Sequence, residues 1–208
     1  MEQSATTSVD LQRTQLLDAA AHLFATKGFH GTGMRELARH LKIKAGSLYY
    51  HIRSKDQLLN EICEIGMQGL SSNVAQASAG NRGFPETIHS IIVGHAELIK
   101  HYGSYLSCYQ NEYAHLCAEV REKMRLELIA FHRKIDNVFQ RAIAQGETNP
   151  NLVVKNARLA LIAILHQLSR LGSEQHHSSL NKTAEGLSEI LIHGLAAKRC
   201  GHNTPDSS

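Results

Sequence analysis

Between Gly31 and Leu58 the chain reads GTGMRELARHLKIKAGSLYYHIRSKDQL, and no other stretch restricts the fold as much. A short helical run, a tight turn at Leu41-Lys42-Ile43 and a second short run ending in paired tyrosines predict a helix-turn-helix, followed by a third helix. Thr32 is the expected N-cap of the first run, with Leu37, Ala38 and Leu41 on its inner face. In the second run, from about Ala45 to His51, Leu48 points inward, and Ile52 follows it into the core. Ser54, with Gln57 three residues on, is a capping-box pattern for the helix after it. From Lys27 to Lys55 there are seven cations, Lys27, Arg35, Arg39, Lys42, Lys44, Arg53 and Lys55, and Glu36 is the only acid. The whole chain carries a net charge of only +3. Positive charge concentrated on a compact helical motif is the footprint of a phosphate backbone.

The rest of the chain also reads as helix. Leu16, Ala20, Leu23 and Phe24 share a face of a helix expected from about Asp10 to Lys27, stopped by Gly28; residues 1–9 are expected to form a disordered arm. The helix capped by Ser54 continues through Leu58, Leu59, Ile62 and Ile65 towards Gln76. After the break at Gly80–Pro85, helices are expected over Pro85–Tyr102, Ser104–Tyr113, Cys117–Gln145, Asn151–Leu171 and Leu180–Lys198. Asn149 is the expected cap of the fourth of these, with Pro150 at its first position. Gly172–Ser179 reads as a polar loop and 199–208 as a disordered tail. No strand pattern of period two occurs. The expected class is all-α, with a three-helix DNA-binding domain at 10–66. A long helix joins it to a helical ligand-binding and dimerisation domain at 67–198.

Composition excludes several classes. No run approaches the ~20 apolar residues that span a bilayer. The N-terminus, MEQSATTSVDLQ, lacks the apolar core of a signal peptide, so a cytoplasmic protein without membrane partners is expected. There is no nucleophile elbow, phosphate-binding glycine loop or dinucleotide fingerprint, so the chain is not expected to be an enzyme or to carry a cofactor. The four cysteines, Cys63, Cys108, Cys117 and Cys200, show no CxxC spacing. Fourteen histidines invite a metal-sensor reading, with His95, Cys108, Cys117, His115 and His132 gathered in space. No HxxxH or HExxH pair supports it, so no metal site is expected and metal response stays an alternative.

Gly28-Phe29, Thr32, Met34-Arg35-Glu36-Leu37-Ala38, the turn at Leu41-Lys42-Ile43, Ala45-Gly46-Ser47-Leu48-Tyr49-Tyr50-His51 and Ser54-Lys55-Asp56-Gln57-Leu58 together resemble the DNA-binding domain of the tetracycline-repressor (TetR) family of transcriptional regulators. The resemblance covers roughly residues 11–66. It implies a second, recognition helix in the major groove. Lys44, Ala45, Gly46 and Ser47 would lie against base edges or nearby phosphates, and Tyr49, Tyr50 and His51 on backbone and thymine methyls. Arg35 would contact a base or phosphate, and Lys55 a phosphate at a helix N-terminus. Lys44 stands where a small polar cap residue is common, and Ile52 where an aromatic is. One recognition helix reads a half-site, so a homodimer on a palindromic double-stranded operator is expected. The family's dimer forms through its last two helices, which nominates Leu161, Leu165, Leu168, Leu187, Ile190 and Leu191 here.

The remainder, from Asn111-Glu112-Tyr113 through Val120-Arg121-Glu122-Lys123-Met124 to Ala144-Gln145-Gly146-Glu147 and Asn149-Pro150-Asn151-Leu152, is similar to the C-terminal domain of regulators of fatty-acid, sterol and branched-chain catabolism. Several of those respond to acyl-CoA thioesters, which implies a small-molecule effector of that class. Candidate pocket residues are His95, Tyr109, Tyr113, Met124, Phe131 and Gln167, with Arg121 and Arg125 for the phosphates. Where that domain often has a Trp, this chain has Ile164-Leu165-His166-Gln167. The resemblance implies a repressor released by its effector. A DNA-binding protein with no small ligand is the other alternative.

Overall fold

The structure is a computed structural model. It describes residues 2–80, 82–172 and 177–196, with the side chains of 2–12, 50, 51, 177 and 178 outside that description. Among the described residues there are eight α-helices: α1 (Glu2–Lys27), α2 (Met34–His40), α3 (Ala45–His51), α4 (Lys55–Ser78), α5 (Phe84–Asn111), α6 (Ala118–Ala144), α7 (Val154–Gly172) and α8 (His177–Leu195). A 3-10 turn, Tyr113–His115, sits between α5 and α6. The all-α class expected from the sequence is the class observed. The region from 197 on, with the expected tail, and positions 173–176 of the expected polar loop lie outside the described residues.

Several boundaries differ from expectation for physical reasons. Helix α1 begins at Glu2 rather than Asp10, because the first 27 residues contain no Gly or Pro to interrupt it. It stops at Gly28, which takes φ +78° while its N–H donates to the Phe24 carbonyl at 2.9 Å. Thr32 is not the cap of α2. Gly33 occupies that position, and the buried Thr32 hydroxyl instead donates to the carbonyls of Leu23 (3.2 Å) and Gly28 (3.0 Å). The two helices expected on either side of Gly103 merge into α5, with a kink at Tyr102 (φ −126°, ψ 18°). Pro150 does not open α7. Asn149 Oδ1 accepts from Asn151 N at 2.9 Å, and the turn runs on to Val154.

The turn after α2 and the turn after α6 use one motif. At the end of α6, Gly146 N donates to the Ile143 carbonyl and Glu147 N to that of Ala142, with Gly146 at φ +71°. At the end of α2, Lys42 N donates to Arg39 and Ile43 N to Ala38, with Lys42 at φ +56°. A lysine there carries a cost of about 1–2 kcal/mol that a glycine would not. Ser54 caps α4 as expected, accepting from Gln57 N at 3.1 Å, while Gln57 Oε1 accepts from Arg53 N at 3.1 Å. Gly83 has no side chain to cap α5, and Glu147 Oε2 accepts from Phe84 N at 3.0 Å in its place.

Helix α5 is the hub of the body. It packs on α1, α4, α6, α7 and α8, and buries Ile88, Ile91, Ile92, Ala96, Ile99 and Leu106. The apolar core is continuous from Leu16 in α1 to Leu191 in α8, so the helix-turn-helix and the C-terminal body share one interior. Polar contacts reinforce that joint. Tyr105 donates to Asp18 Oδ1 at 2.6 Å and the Cys108 thiol lies 3.4 Å from the Ala21 carbonyl, while within the DNA-binding domain Arg13 on α1 pairs with Glu61 on α4. Burial raises the Cys63 thiol to about 12 and also pushes the Cys108 thiol up, which keeps both protonated and unreactive.

Helices α4 and α5 meet backbone to backbone at Gly66, where an added Cβ would stand 2.9 Å from the Tyr105 carbonyl oxygen. Exchanging glycine for alanine inside a helix ordinarily stabilises by about 1 kcal/mol. At Gly66→Ala the sign reverses: urea unfolding should show a loss of about 1–3 kcal/mol, because the backbones must part. A gain in stability would show that α4 and α5 do not cross this closely.

Candidate nucleic-acid interface

Helices α2 and α3 are seven residues each and gain their stability from the core beneath them. Leu37 and Ala38 bury the inner face of α2, while Leu48 (fully buried) and Ile52 anchor α3. That anchoring fixes which side of α3 faces out. Lys44, Gly46, Ser47 and Tyr49 are exposed, Tyr49 to 58%, and Ala45 is half-buried. The Tyr49 ring is thus free to make apolar contacts and its hydroxyl to hydrogen-bond outside the chain. Gly46 has open space where a Cβ would stand, so steric crowding does not require a glycine there. The side chains of Tyr50 and His51, also expected contacts, lie outside the described residues.

Electrostatics sharpen this face. Arg35, Arg39, Lys42, Lys44 and Arg53 are all exposed. The single acid, Glu36, is neutralised by Lys27, whose ammonium hydrogen-bonds its carboxylate and holds it below the usual carboxylate range. What remains outward is cationic. Such a surface attracts a polyanion, and releases counterions when it binds one.

Lys55 turns inward, an arrangement the sequence does not foretell. Its Nζ donates to the carbonyls of Phe29 (2.7 Å) and Thr32 (3.0 Å), and lies 4.2 Å from the centre of the Phe29 ring. Two of its three donors are therefore committed to the α1–α2 loop. It positions the start of α2 from the start of α4. A charge at a helix N-terminus reads from sequence as a phosphate ligand, but nothing in the sequence reveals that loop carbonyls stand within its reach.

The expected effector residues do not form an open pocket. His95, Tyr109, Met124 and Phe131 are buried in packed interior. His95 Nε2 lies 2.9 Å from both the Leu165 carbonyl and Ser169 Oγ, its Nδ1 is buried without a partner, and burial lowers it to about 4. Tyr113 donates to the Arg121 carbonyl at 3.0 Å. Arg121 is exposed, and Arg125 is exposed and clasped by Glu122 at 2.7 and 2.8 Å. Gln167 faces outward on α7. None of these eight lines the groove of about 460 Å³ between α4 and α5, whose walls include Gln68, Ser72, Gln76 and His101. The gathering of His95, Cys108, Cys117, His115 and His132 is likewise not found. Among the described residues, no three His, Cys, Asp or Glu side chains stand together as a metal site.

The dimer candidates divide. Leu161, Leu165, Leu168 and Leu191 are buried within the chain, and Leu187 is half-buried. Periodicity marked them as apolar but could not say which neighbour covers them. The outward apolar residues are Leu159 on α7 (53% exposed) and Ile190 on α8 (70% exposed).

Comparison with known proteins agrees with this geometry. The family profile for bacterial regulatory proteins of the tetR family matches residues 16–62. The HTH-type transcriptional repressor KstR2 of Rhodococcus jostii is 30% identical over 147 residues, covering 70% of this chain and 72% of that protein. The structure of the ketosteroid transcriptional regulator KstR2 of Mycobacterium tuberculosis superposes with a TM-score of 0.79 at 20% identity, covering 90% of this chain and 96% of that one. The structure of AibR in complex with isovaleryl coenzyme A and operator DNA superposes at 0.72 with 21% identity, covering 86% and 97%. No described helix is long and apolar enough to cross a membrane.

The positions of Lys55 and Arg35 separate two roles. Lys55→Ala should lower stability to urea by about 1–3 kcal/mol, because two carbonyls lose a charged donor. Arg35→Ala should leave stability within about 0.5 kcal/mol. It should also reduce the slope of log affinity for DNA against log salt by about one. An unchanged unfolding midpoint for Lys55→Ala would contradict its inward role. A second expectation concerns His95, whose neutral form is favoured by burial. Between its ordinary value of 6.5 and about 4 the unfolded chain binds the extra proton, so stability falls as pH falls through that window. His95→Gln should lose less stability than the parent chain over the same range. Parallel curves would exclude His95 as a source.

Proposed function

The chain belongs to the tetR family of bacterial regulatory proteins, and from that premise we propose that it is a homodimeric transcriptional repressor, bound to a palindromic operator and released by a small molecule. The observation that carries this is the cationic outer face of α2 and α3, whose one acid, Glu36, is paired with Lys27, with Tyr49 exposed on α3. Arg35, Lys44, Ala45, Gly46, Ser47, Tyr49, Tyr50 and His51 are the proposed contacts. Tyr49 and Ser47 read the groove, while Arg35 and Lys44 hold phosphates.

Two recognition helices about one DNA turn apart, ~34 Å, would engage the two half-sites. The outward apolar positions Leu159 and Ile190 favour a dimer through α7 and α8, with Gln167 on that face rather than in a pocket. The buried leucines of the same helices then support the face from behind.

The effector we propose is an acyl-CoA thioester, the class whose isovaleryl member is bound in the AibR complex. His95, Tyr109, Met124 and Phe131 lie at packed contacts in the body. Effector binding would therefore part α5 from its neighbours rather than fill a standing cavity. Because α5 carries Tyr105 against Asp18 of α1, such a movement reaches the DNA-binding domain directly. A ligand can shift this equilibrium only by its differential affinity for the two states.

The test is a gel-shift titration of the purified protein on the DNA flanking its own gene, at fixed salt, with a panel of acyl-CoAs and their free acids. Tight binding relieved by one thioester and not by its acid is the expected outcome. Binding that no thioester disturbs would remove the acyl-CoA proposal and leave the operator. A companion test is Ile190→Arg, which should convert the dimer to monomer in sedimentation. A dimer that survives both Ile190→Arg and Leu159→Arg would place the interface elsewhere.

A further inference from the structure

Two histidines meet where the DNA-binding domain touches the C-terminal body. His30 lies in the α1–α2 loop, and His115 closes the 3-10 turn after α5. His30 Nε2 stands 3.1 Å from His115 Nδ1, with the rings edge-on at 84° and their centres 4.3 Å apart. His115 is also stacked on Phe29 at 5.8 Å, nearly parallel. Its other nitrogen, Nε2, lies 3.6 Å from Glu112 Oε2. Lys55 approaches from α4 over the Phe29 ring, and Lys27 at the end of α1 is already paired with Glu36. Both imidazoles are exposed, so protons reach them from bulk solvent.

The geometry has a consequence for charge. Two imidazoles joined nitrogen to nitrogen need one proton between them, with a lone pair on the facing atom. Neutral rings satisfy this, one donating and one accepting. A single additional proton keeps the bond and makes it charge-assisted. A second additional proton removes the remaining lone pair. Both facing nitrogens then carry hydrogens and positive charge, with the Lys55 ammonium adding a third cation nearby. Solvent screens the repulsion at this exposed site, but the hydrogen bond itself can no longer exist.

We propose that His30 and His115 form a proton-controlled latch between the DNA-binding domain and the C-terminal body, closed until both rings are protonated. The loop they hold is the one that ends α1 and starts α2. Lys55 keeps its own grip on that loop through the Phe29 and Thr32 carbonyls, so release loosens the coupling between domains without unfolding the helix-turn-helix. Histidine is the side chain suited to this task because it gains its proton near neutral pH. The effect on DNA rests on the operator-binding function proposed above; the latch itself does not.

The experiment uses the full-length protein with labelled histidines. Cross-relaxation between the His30 and His115 ring protons should be present at about pH 7.5 and lost at about pH 5, while far-ultraviolet circular dichroism stays constant. Persistence of that signal at the lower pH would overturn the latch. Operator affinity is then compared across the same range with that of His115→Gln, which cannot gain a proton. The ratio of affinities at the two pH values should differ between the two proteins by about fivefold, the lower end of typical coupling between sites. Contributions from His40 and His51 are common to both proteins and cancel. Loss of the ring contact with identical affinity profiles would uphold the latch and overturn its link to DNA. Failure of both proteins to bind any operator would count against the repressor reading and leave the ring-contact result standing.

Discussion

The crossing of α4 and α5 at Gly66 is the constraint on which the other contacts depend. With no side chain between them, the two backbones approach until a methyl group would strike the Tyr105 carbonyl. That proximity sets where Tyr105 stands, and so where its hydroxyl finds Asp18 on α1. It also sets the height of α4, whose first turn carries Lys55 to the carbonyls of the α1–α2 loop. The helix-turn-helix is therefore not tethered to the body by a linker. It shares a core with it, and α4 belongs to both.

A shared core has a mechanical meaning. Packed interiors deform little, so a displacement of α5 is passed to α1 and α4 rather than absorbed. The interface with DNA needs this stiffness, because α2 and α3 are too short to be stable alone. The same stiffness would carry a change in the body to that interface. The proposed effector, by parting α5 from α6 or α7, or a charge that opens the His30–His115 contact, would act on elements that share a core with α2 and α3.

Much of this was legible in the sequence, and the parts that were not share a cause. Gly28, Ser54 with Gln57, and the inward pair Leu48 and Ile52 were read correctly, because local backbone geometry and short-range periodicity decide them. The inward grip of Lys55 was not legible, since it depends on carbonyls more than twenty residues away. Leu161, Leu165 and Leu168 were read as a dimer surface because an apolar stripe does not reveal whether its partner lies in the same chain. His95 was expected to line an effector pocket, but its surroundings are packed helix, because sequence pattern does not distinguish a cavity wall from a filled interior. The turn after α2 was anticipated, but not that Lys42 would adopt there the left-handed conformation that Gly146 adopts after α6.

The cationic face of α2 and α3 is proposed to read a two-fold DNA site. Hydroxyl-radical footprinting on the DNA flanking the gene, at fixed salt and with competitor DNA present, tests it most directly. Two protected half-sites of related, inverted sequence are expected, with centres about one helical turn apart or a small multiple of it. Uniform protection that fades with salt, and no boundary between bound and free sequence, would contradict the proposal.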